Sequence, residues 1–325
     1  MSAHKFYVSM SPHLHRGMTV SKISRHILVA LAPTMLVGVY YFGWSAVKVL
    51  LVCMIMAVAG EAGMQRIMGK KITLHDGHAL TIGLLLGLML PPGLPWWGAA
   101  VGALIAIVLG KQIYGGLGNN PFNPAAVGWI VLSVSYPGYM DLYHAPLTGL
   151  KSFTTSPAAA DLPLKLVRED LSELISYPPW DLLIGLKAGG IGEVCILALV
   201  LGGLYLILKR VITWHVPVAC LGVAWIFSLL FSQIDPETYA GPSFHLLSGG
   251  LVFASFFLAT DKGTMPVTAP GMLLAGAMVA LITMIIRYWG GYVDGVYFAI
   301  LLTNAVVPLM DRIRPAVYGR VKEVA

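Results

Sequence analysis

The sequence predicts an all-α integral membrane protein of about ten transmembrane helices, arranged as two inverted repeats of roughly five helices each, with some helices broken. Three observations predict it. Hydrophobic residues make up 57% of the 325 positions and charged residues only 11%, with a mean hydropathy of +0.78, whereas soluble domains are about a quarter charged. Apolar runs of the ~20 residues needed to cross a bilayer recur along the whole chain. One motif occurs twice: His78-Ala79-Leu80-Thr81-Ile82-Gly83-Leu84 returns as His245-Leu246-Leu247-Ser248-Gly249-Gly250-Leu251, each at the start of an apolar run. Further along come a cation and a Gly-Gly pair, Lys111 with Gly115-Gly116 and Arg287 with Gly290-Gly291.

Taken in order, the apolar runs span 26–44, 46–64, 79–92, 96–113 and 122–137, then 190–209, 215–232, 245–260, 269–287 and 294–311. The first twenty-five residues lack an apolar core of the signal-peptide kind, so no cleavable leader is expected. The third run is interrupted by Pro91-Pro92 and the fifth by Asn123-Pro124. Such breaks survive at membrane depth only where protein or a polar cavity satisfies the freed backbone groups, so they mark places to look for a ligand. Trp96, Trp97, Trp180 and Trp289 suit the two interfacial belts. The divisions are 1–137 as the first repeat, 138–180 as a connecting loop and 181–325 as the second repeat.

Orientation follows from the bases, which are held in excess on the cytoplasmic side. Lys5, Arg16, Lys22 and Arg25 precede the first run, Arg66, Lys70 and Lys71 follow the second, and Lys209 and Arg210 follow the sixth. Arg312, Arg314, Arg320 and Lys322 close the chain. Both termini are therefore expected inside, with 138–180, where five acids outnumber three bases, outside. The net charge of +6 is accounted for by this rule, so no nucleic-acid partner is expected. Cys53, Cys195 and Cys220 show no paired spacing and read as small buried residues, which leaves no metal site.

The most distinctive run is Tyr114-Gly115-Gly116-Leu117-Gly118-Asn119-Asn120-Pro121-Phe122-Asn123-Pro124. Glycines allow close backbone approach to a ligand, and Asn amides both donate and accept. A tight turn with an Asn helix cap explains the same residues. His78 and His245 read as markers of span starts. Glu61, Glu193 and Asp294 are acids in or near the apolar runs, where an acid is a functional candidate. Asp294 suits either an ion path or a loop cap.

The string from Lys111 to Ala125, the run Gly290-Gly291-Tyr292-Val293-Asp294-Gly295-Val296 through Asn304 to Pro308-Leu309-Met310-Asp311, and the segment His245 to Asp261 resemble the D subunit of the Rnf ion-translocating electron-transport complex. The resemblance covers nearly the whole chain. The related B subunit of the sodium-pumping NADH:quinone reductase shares the Asn-x-Phe-Asn-Pro core but carries a longer N-terminal extension.

The resemblance implies a flavoprotein component of a ferredoxin:NAD⁺ oxidoreductase in the cytoplasmic (inner) membrane, coupled to Na⁺ or H⁺ transport. Its partners would be the other Rnf subunits, a flavin transferase and membrane lipid. It implies FMN esterified through its phosphate to a threonine in a motif close to Ser-x-Ala-Thr. The matching place is Ser152-Phe153-Thr154-Thr155-Ser156-Pro157, where Ser152 in the motif position makes Thr155 the acceptor. Thr154 stands where the family has alanine, and an acid usual upstream is absent, so Ser156 and Thr154 remain alternatives. A second flavin, riboflavin, is implied within the spans, with Asn120 and Asn123 as the residues to bind it. A small-solute channel or secondary transporter of the same architecture is the alternative function, since fold alone does not fix activity.

Overall fold

The computed structural model describes residues 19–147 and 158–312, and among them every regular element is helical. Helix α1 (Val20–Phe42) starts where the Thr19 hydroxyl accepts the Lys22 N–H at 3.3 Å, supplying a partner for one of the donors a helix start leaves open. Gly43 ends it at φ 59°, a conformation L side chains resist, and at once opens α2 (Trp44–Ile67). Then follow α3 (His78–Met89), α4 (Trp96–Ile107), α5 (Pro124–Ser135), the short α6 (Pro137–Met140), α7 (Pro163–Glu169) and α8 (Pro179–Ile184). The chain continues through α9 (Ile196–Leu208), α10 (His215–Ile234), α11 (Pro242–Leu247), α12 (Leu251–Phe253), α13 (Ala269–Trp289) and α14 (Val296–Met310). One π-helical turn, Val108–Gln112, prolongs α4, and another, Ala254–Leu258, prolongs α12.

Among the described residues, α1, α2, α10 and α13 are long and apolar enough to cross a membrane. Shorter apolar helices are α3, α4 with its π turn, α5, α9 and α14. The main packing partners are α2 with α3 and α4, α4 with α5, α1 with α9, α10 with α13, and α13 with α14. Missing side chains let these axes approach: a Cβ on Gly83 of α3 would lie 2.7 Å from the Cys53 carbonyl of α2. One on Gly128 of α5 would lie 2.7 Å from the Gly102 carbonyl of α4. Where lipid is as apolar as the helix surface, such close backbone contact is a main source of association.

The breaks do not fall where the prolines suggest. Pro91-Pro92 simply follows the end of α3, and the Leu88 and Leu90 carbonyls there accept from Gly192 (2.7 Å) and Ile191 (3.1 Å) of the non-helical segment 185–195. Asn123-Pro124 is the cap and first residue of α5, a position where the missing proline N–H costs nothing. The interrupted run is 245–260: α11 stops at Leu247, Gly249 turns at φ 68°, and α12 restarts at Leu251. The run read as 190–209 is likewise helical only from Ile196.

Polar groups from distant parts of the chain satisfy the broken backbone at 245–250. The Lys187 ammonium donates to the Leu247 carbonyl, and Arg287 donates to the carbonyls of His245 (2.6 Å) and Ser248 (3.2 Å). The Gly250 N–H donates to the Asp294 carboxylate at 2.7 Å. Non-helical backbone within an apolar layer persists only when it is paired in this way.

Candidate functional site

A cavity of about 260 Å³ opens between the first halves of α1 and α3, the 117–125 stretch, the end of α9 and the π turn after α12. Apolar side chains form most of its wall: Ile23 and Ile27 from α1, Ile82 and Leu85 from α3, Leu206 from α9, Val211 and Ile212 beyond it, and Phe256 and Phe257 from the π turn. The polar residues on the wall are Ser24, His78, Thr81, Asn120, Asn123, Thr260, Asp261 and Lys262. An apolar chamber with a few fixed polar groups is the usual form of a small-molecule or cofactor site.

The glycine-rich loop shapes the approach to this chamber. Gly115 and Gly116 have φ of 112° and 109°, values that L side chains rarely adopt. Lys70 ties the loop down by donating to the Gly115 carbonyl at 3.0 Å. The chain then delivers Asn120 and Asn123, both buried, to the cavity wall.

The two asparagines differ in what they have left to offer. Asn123 Oδ1 accepts from the N–H groups of Ala125 (3.0 Å) and Ala126 (3.2 Å), capping α5, and Nδ2 donates to the Leu258 carbonyl at 3.3 Å. With its amide oriented to suit its neighbours, Asn304 of α14 accepts from the Asn123 N–H at 2.9 Å and donates to the Thr264 and Ile300 carbonyls. Asn123 is thus a clasp between α5, the π turn and α14. Asn120 donates to the Phe122 carbonyl at 3.2 Å, and its Oδ1 accepts no hydrogen bond from the described residues.

His78 lines the same chamber, and its Nδ1 is buried with no hydrogen-bond partner among the described residues. Such a group calls for a partner that those residues do not supply. Thr260, by contrast, spends its hydroxyl on the Phe256 carbonyl at 2.6 Å. At the rim, burial raises the Asp261 carboxyl above the usual carboxylate range, while hydrogen bonds from the Gly263 N–H and the Thr264 hydroxyl pull it the other way.

The remaining sequence-derived candidates lie elsewhere. Ser152, Thr154, Thr155 and Ser156 are outside the described residues. Asp294 is absent from the chamber wall and forms an ion pair with Arg287 at 3.1 Å beside the broken helix. His245, the repeat partner of His78, borders a separate cavity of about 180 Å³ with Arg168, Tyr239 and Tyr288, and neither of its ring nitrogens has a partner among the described residues. Glu61 is locked to Lys111, whose ammonium reaches Oε1 at 2.7 Å and Oε2 at 2.8 Å, with Gln65 adding a third donor at 3.1 Å. Sequence reasoning did not single out Lys187, Tyr143 or Tyr297. Lys187 alone carries a signal, a cation within an apolar stretch.

The sequence model of the NQR2, RnfD, RnfE family matches residues 7–319. The chain is 39% identical to the D subunit of the Na⁺-translocating ferredoxin:NAD⁺ oxidoreductase complex of Acetobacterium woodii, over 97% of this chain and 96% of that protein. It is 38% identical to the D subunit of the proton-translocating ferredoxin:NAD⁺ oxidoreductase complex of Clostridium ljungdahlii, over the same shares. It is 36% identical to the D subunit of the ion-translocating oxidoreductase complex of Vibrio atlanticus, over 97% of this chain and 99% of that one. With helices, chamber and asparagine loop in place and similarity running from end to end, the chain belongs to the NQR2, RnfD, RnfE family.

Proposed function

We propose that this chain is the membrane flavoprotein component of an ion-translocating ferredoxin:NAD⁺ oxidoreductase, relaying electrons between two flavins while the complex moves Na⁺ or H⁺. In this reading about ten helices cross the cytoplasmic membrane as two inverted halves of roughly five each, with both termini inside. The division at 1–137, 138–180 and 181–325 belongs to the same reading. The other subunits of the complex bring the ferredoxin and NAD⁺ sites, and a flavin transferase attaches FMN to Thr155 in the outward 138–180 segment, with Ser156 and Thr154 as the alternative acceptors.

The observation that carries the reading is the chamber of about 260 Å³ between residues of both halves. Its fit to riboflavin rests on three features: apolar walls suited to an isoalloxazine ring, and the Asn120 Oδ1 and His78 Nδ1 atoms, which the described residues leave without a partner. A flavin supplies the one- and two-electron chemistry, and the protein supplies position and electrostatics. Asn120 and His78 would orient the polar edge. Asn123 would hold the wall, Phe256 and Phe257 would exclude water, and Lys262 and Asp261 would face the cytoplasmic mouth.

The test is to purify the complex, precipitate it with acid and assay both fractions. Riboflavin is expected in the supernatant, and flavin fluorescence is expected on this chain in a denaturing gel. Thr155→Ala should remove the gel fluorescence and leave the soluble flavin. A complex with no flavin in either fraction would overturn the reading in favour of a channel or secondary transporter.

A further inference from the structure

Glu193 presents an electrostatic problem that the described residues do not resolve with an ion pair. It lies in the non-helical turn before α9 and is 8% exposed. Its Oε1 accepts the Tyr297 hydroxyl, a neutral donor. Among the described residues no cation makes an ion pair with it: Lys187, the nearest in sequence, is directed to the Leu247 carbonyl, and Arg287 is paired with Asp294. The acids that share its surroundings or its depth do have direct counter-charges, since Lys111 holds Glu61 and Arg287 holds Asp294. A buried carboxylate without a counter-charge is costly enough that it either takes up a proton or acquires a cation.

The space beside it fits a small occupant. A cavity of about 20 Å³ is bounded by Glu193, Asp294, Tyr143, Tyr297 and Gly249, just above the ~10–15 Å³ that a single water needs. Its polar boundary is two carboxylates, two phenols and the Trp129 indole, whose buried Nε1–H has no partner among the described residues; the four oxygen-bearing side chains suit a hard cation. The break at 248–250 makes the room: a Cβ on Gly250 would lie 2.8 Å from the Tyr297 hydroxyl and 2.9 Å from Glu193 Oε1.

We propose that Glu193, with Tyr297, Tyr143 and the broken helix at Gly249-Gly250, forms an exchangeable site for one small monovalent cation, a sodium ion or a hydronium. Asp294, the acid first suggested by the sequence, shapes this site from its fixed pair with Arg287, and Glu193 is the group that exchanges. Lys187, Arg287 and Asp294 are the other charged groups around it, and each is engaged with the backbone of the broken helix. The proposal rests on the reading of the chain as part of an ion-translocating complex.

The test uses the assembled complex in sodium-depleted buffer with dicyclohexylcarbodiimide, which adds to protonated carboxyls in apolar surroundings and leaves a stable acylurea for peptide mapping. Glu193 should be labelled at about pH 7, where an ordinary glutamate, with a pKa of ~4.3, is ionised. If the occupant is sodium, Na⁺ at ten times its dissociation constant should slow labelling about tenfold at fixed pH. If it is hydronium, Na⁺ should have no effect and labelling should fade as pH rises. Glu193→Gln should abolish this label while keeping the flavin content. An unlabelled Glu193, or labelling indifferent to both Na⁺ and pH, in a complex that retains its flavins would overturn the cation site alone. Loss of the flavins from the unmodified complex would instead count against the functional reading.

Discussion

Arg287 holds Asp294 through two hydrogen bonds, Nε to Oδ1 at 3.1 Å and Nη2 to Oδ2 at 3.2 Å, across the Gly290-Gly291 turn. The same guanidinium closes two carbonyls of the broken helix, so one side chain joins α13, the 290–295 turn and the α11–α12 break. Removing the acid leaves Arg287, which is 3% exposed, without its counter-charge. Asp294→Ala is expected to cost about 3–5 kcal/mol. Asp294→Asn keeps an acceptor for the Gly250 N–H and should cost less. Thermal unfolding of the detergent-solubilised protein orders the two, and a wild-type midpoint for the alanine variant would show that the pair does not hold the break.

Arg287→Lys should also fail. The guanidinium serves three separate acceptors, the His245 and Ser248 carbonyls and Asp294. An ammonium on a flexible stem cannot reproduce that planar fork. The readout is the same unfolding midpoint, expected to fall well below that of wild type although the charge is kept.

Much of this architecture can be read in the sequence because one-dimensional signals cause it. Apolar runs become helices, and Asn123 before Pro124 marks a helix start, since the cap and the missing N–H both belong there. The break at 248–250 is harder to see. A Gly-Gly pair is a weak local signal, and what permits the break is Lys187, sixty residues upstream, together with Arg287 and Asp294 downstream. The π turns at 108–112 and 254–258 are invisible for a related reason: their extra residue is accommodated by packing against neighbours. Asn120 and Asn123 were legible as a pair, but only their three-dimensional partners separate the clasp at Asn123 from Asn120, which makes one local bond to the Phe122 carbonyl.

That separation is testable. Asn123→Ala should lower both stability and flavin content, since it removes a helix cap worth about 1 kcal/mol and the tie to Leu258. Asn120→Ala should lower soluble flavin content while leaving the unfolding midpoint of the flavin-free protein near that of wild type. If both variants lost stability equally and kept their flavin, the chamber would not be the site.

The Lys111–Glu61 pair gives a double-mutant cycle. Both side chains are 1% exposed, so Lys111→Met alone strands a buried carboxylate and should cost about 3–5 kcal/mol. Adding Glu61→Gln removes the stranded charge, and the double variant should recover a large part of the loss. The coupling is the non-additive part of the three changes in unfolding free energy, for Lys111→Met, Glu61→Gln and the double variant, each relative to wild type. Additive losses would mean that the two groups do not sense one another.

Two glycines provide a contrast that isolates the broken helix from general helix propensity. Gly249 turns at φ 68°, and an added Cβ would run into Asp294 and lie 2.7 Å from Leu164 and 2.8 Å from Arg287 Nη2. Gly222 sits in α10 with nothing within 4 Å of its Cβ position. Gly222→Ala should therefore be neutral or stabilise by up to about 1 kcal/mol, because alanine loses less backbone entropy in a helix. Gly249→Ala meets strained backbone and fixed charged neighbours together, so it should cost clearly more than the ~1–3 kcal/mol of backbone strain alone. The unfolding midpoints of the two variants should move in opposite directions or differ by a wide margin. Similar midpoints would mean that the 248–250 turn can relax without its partners, and the account of why this helix breaks there would fail.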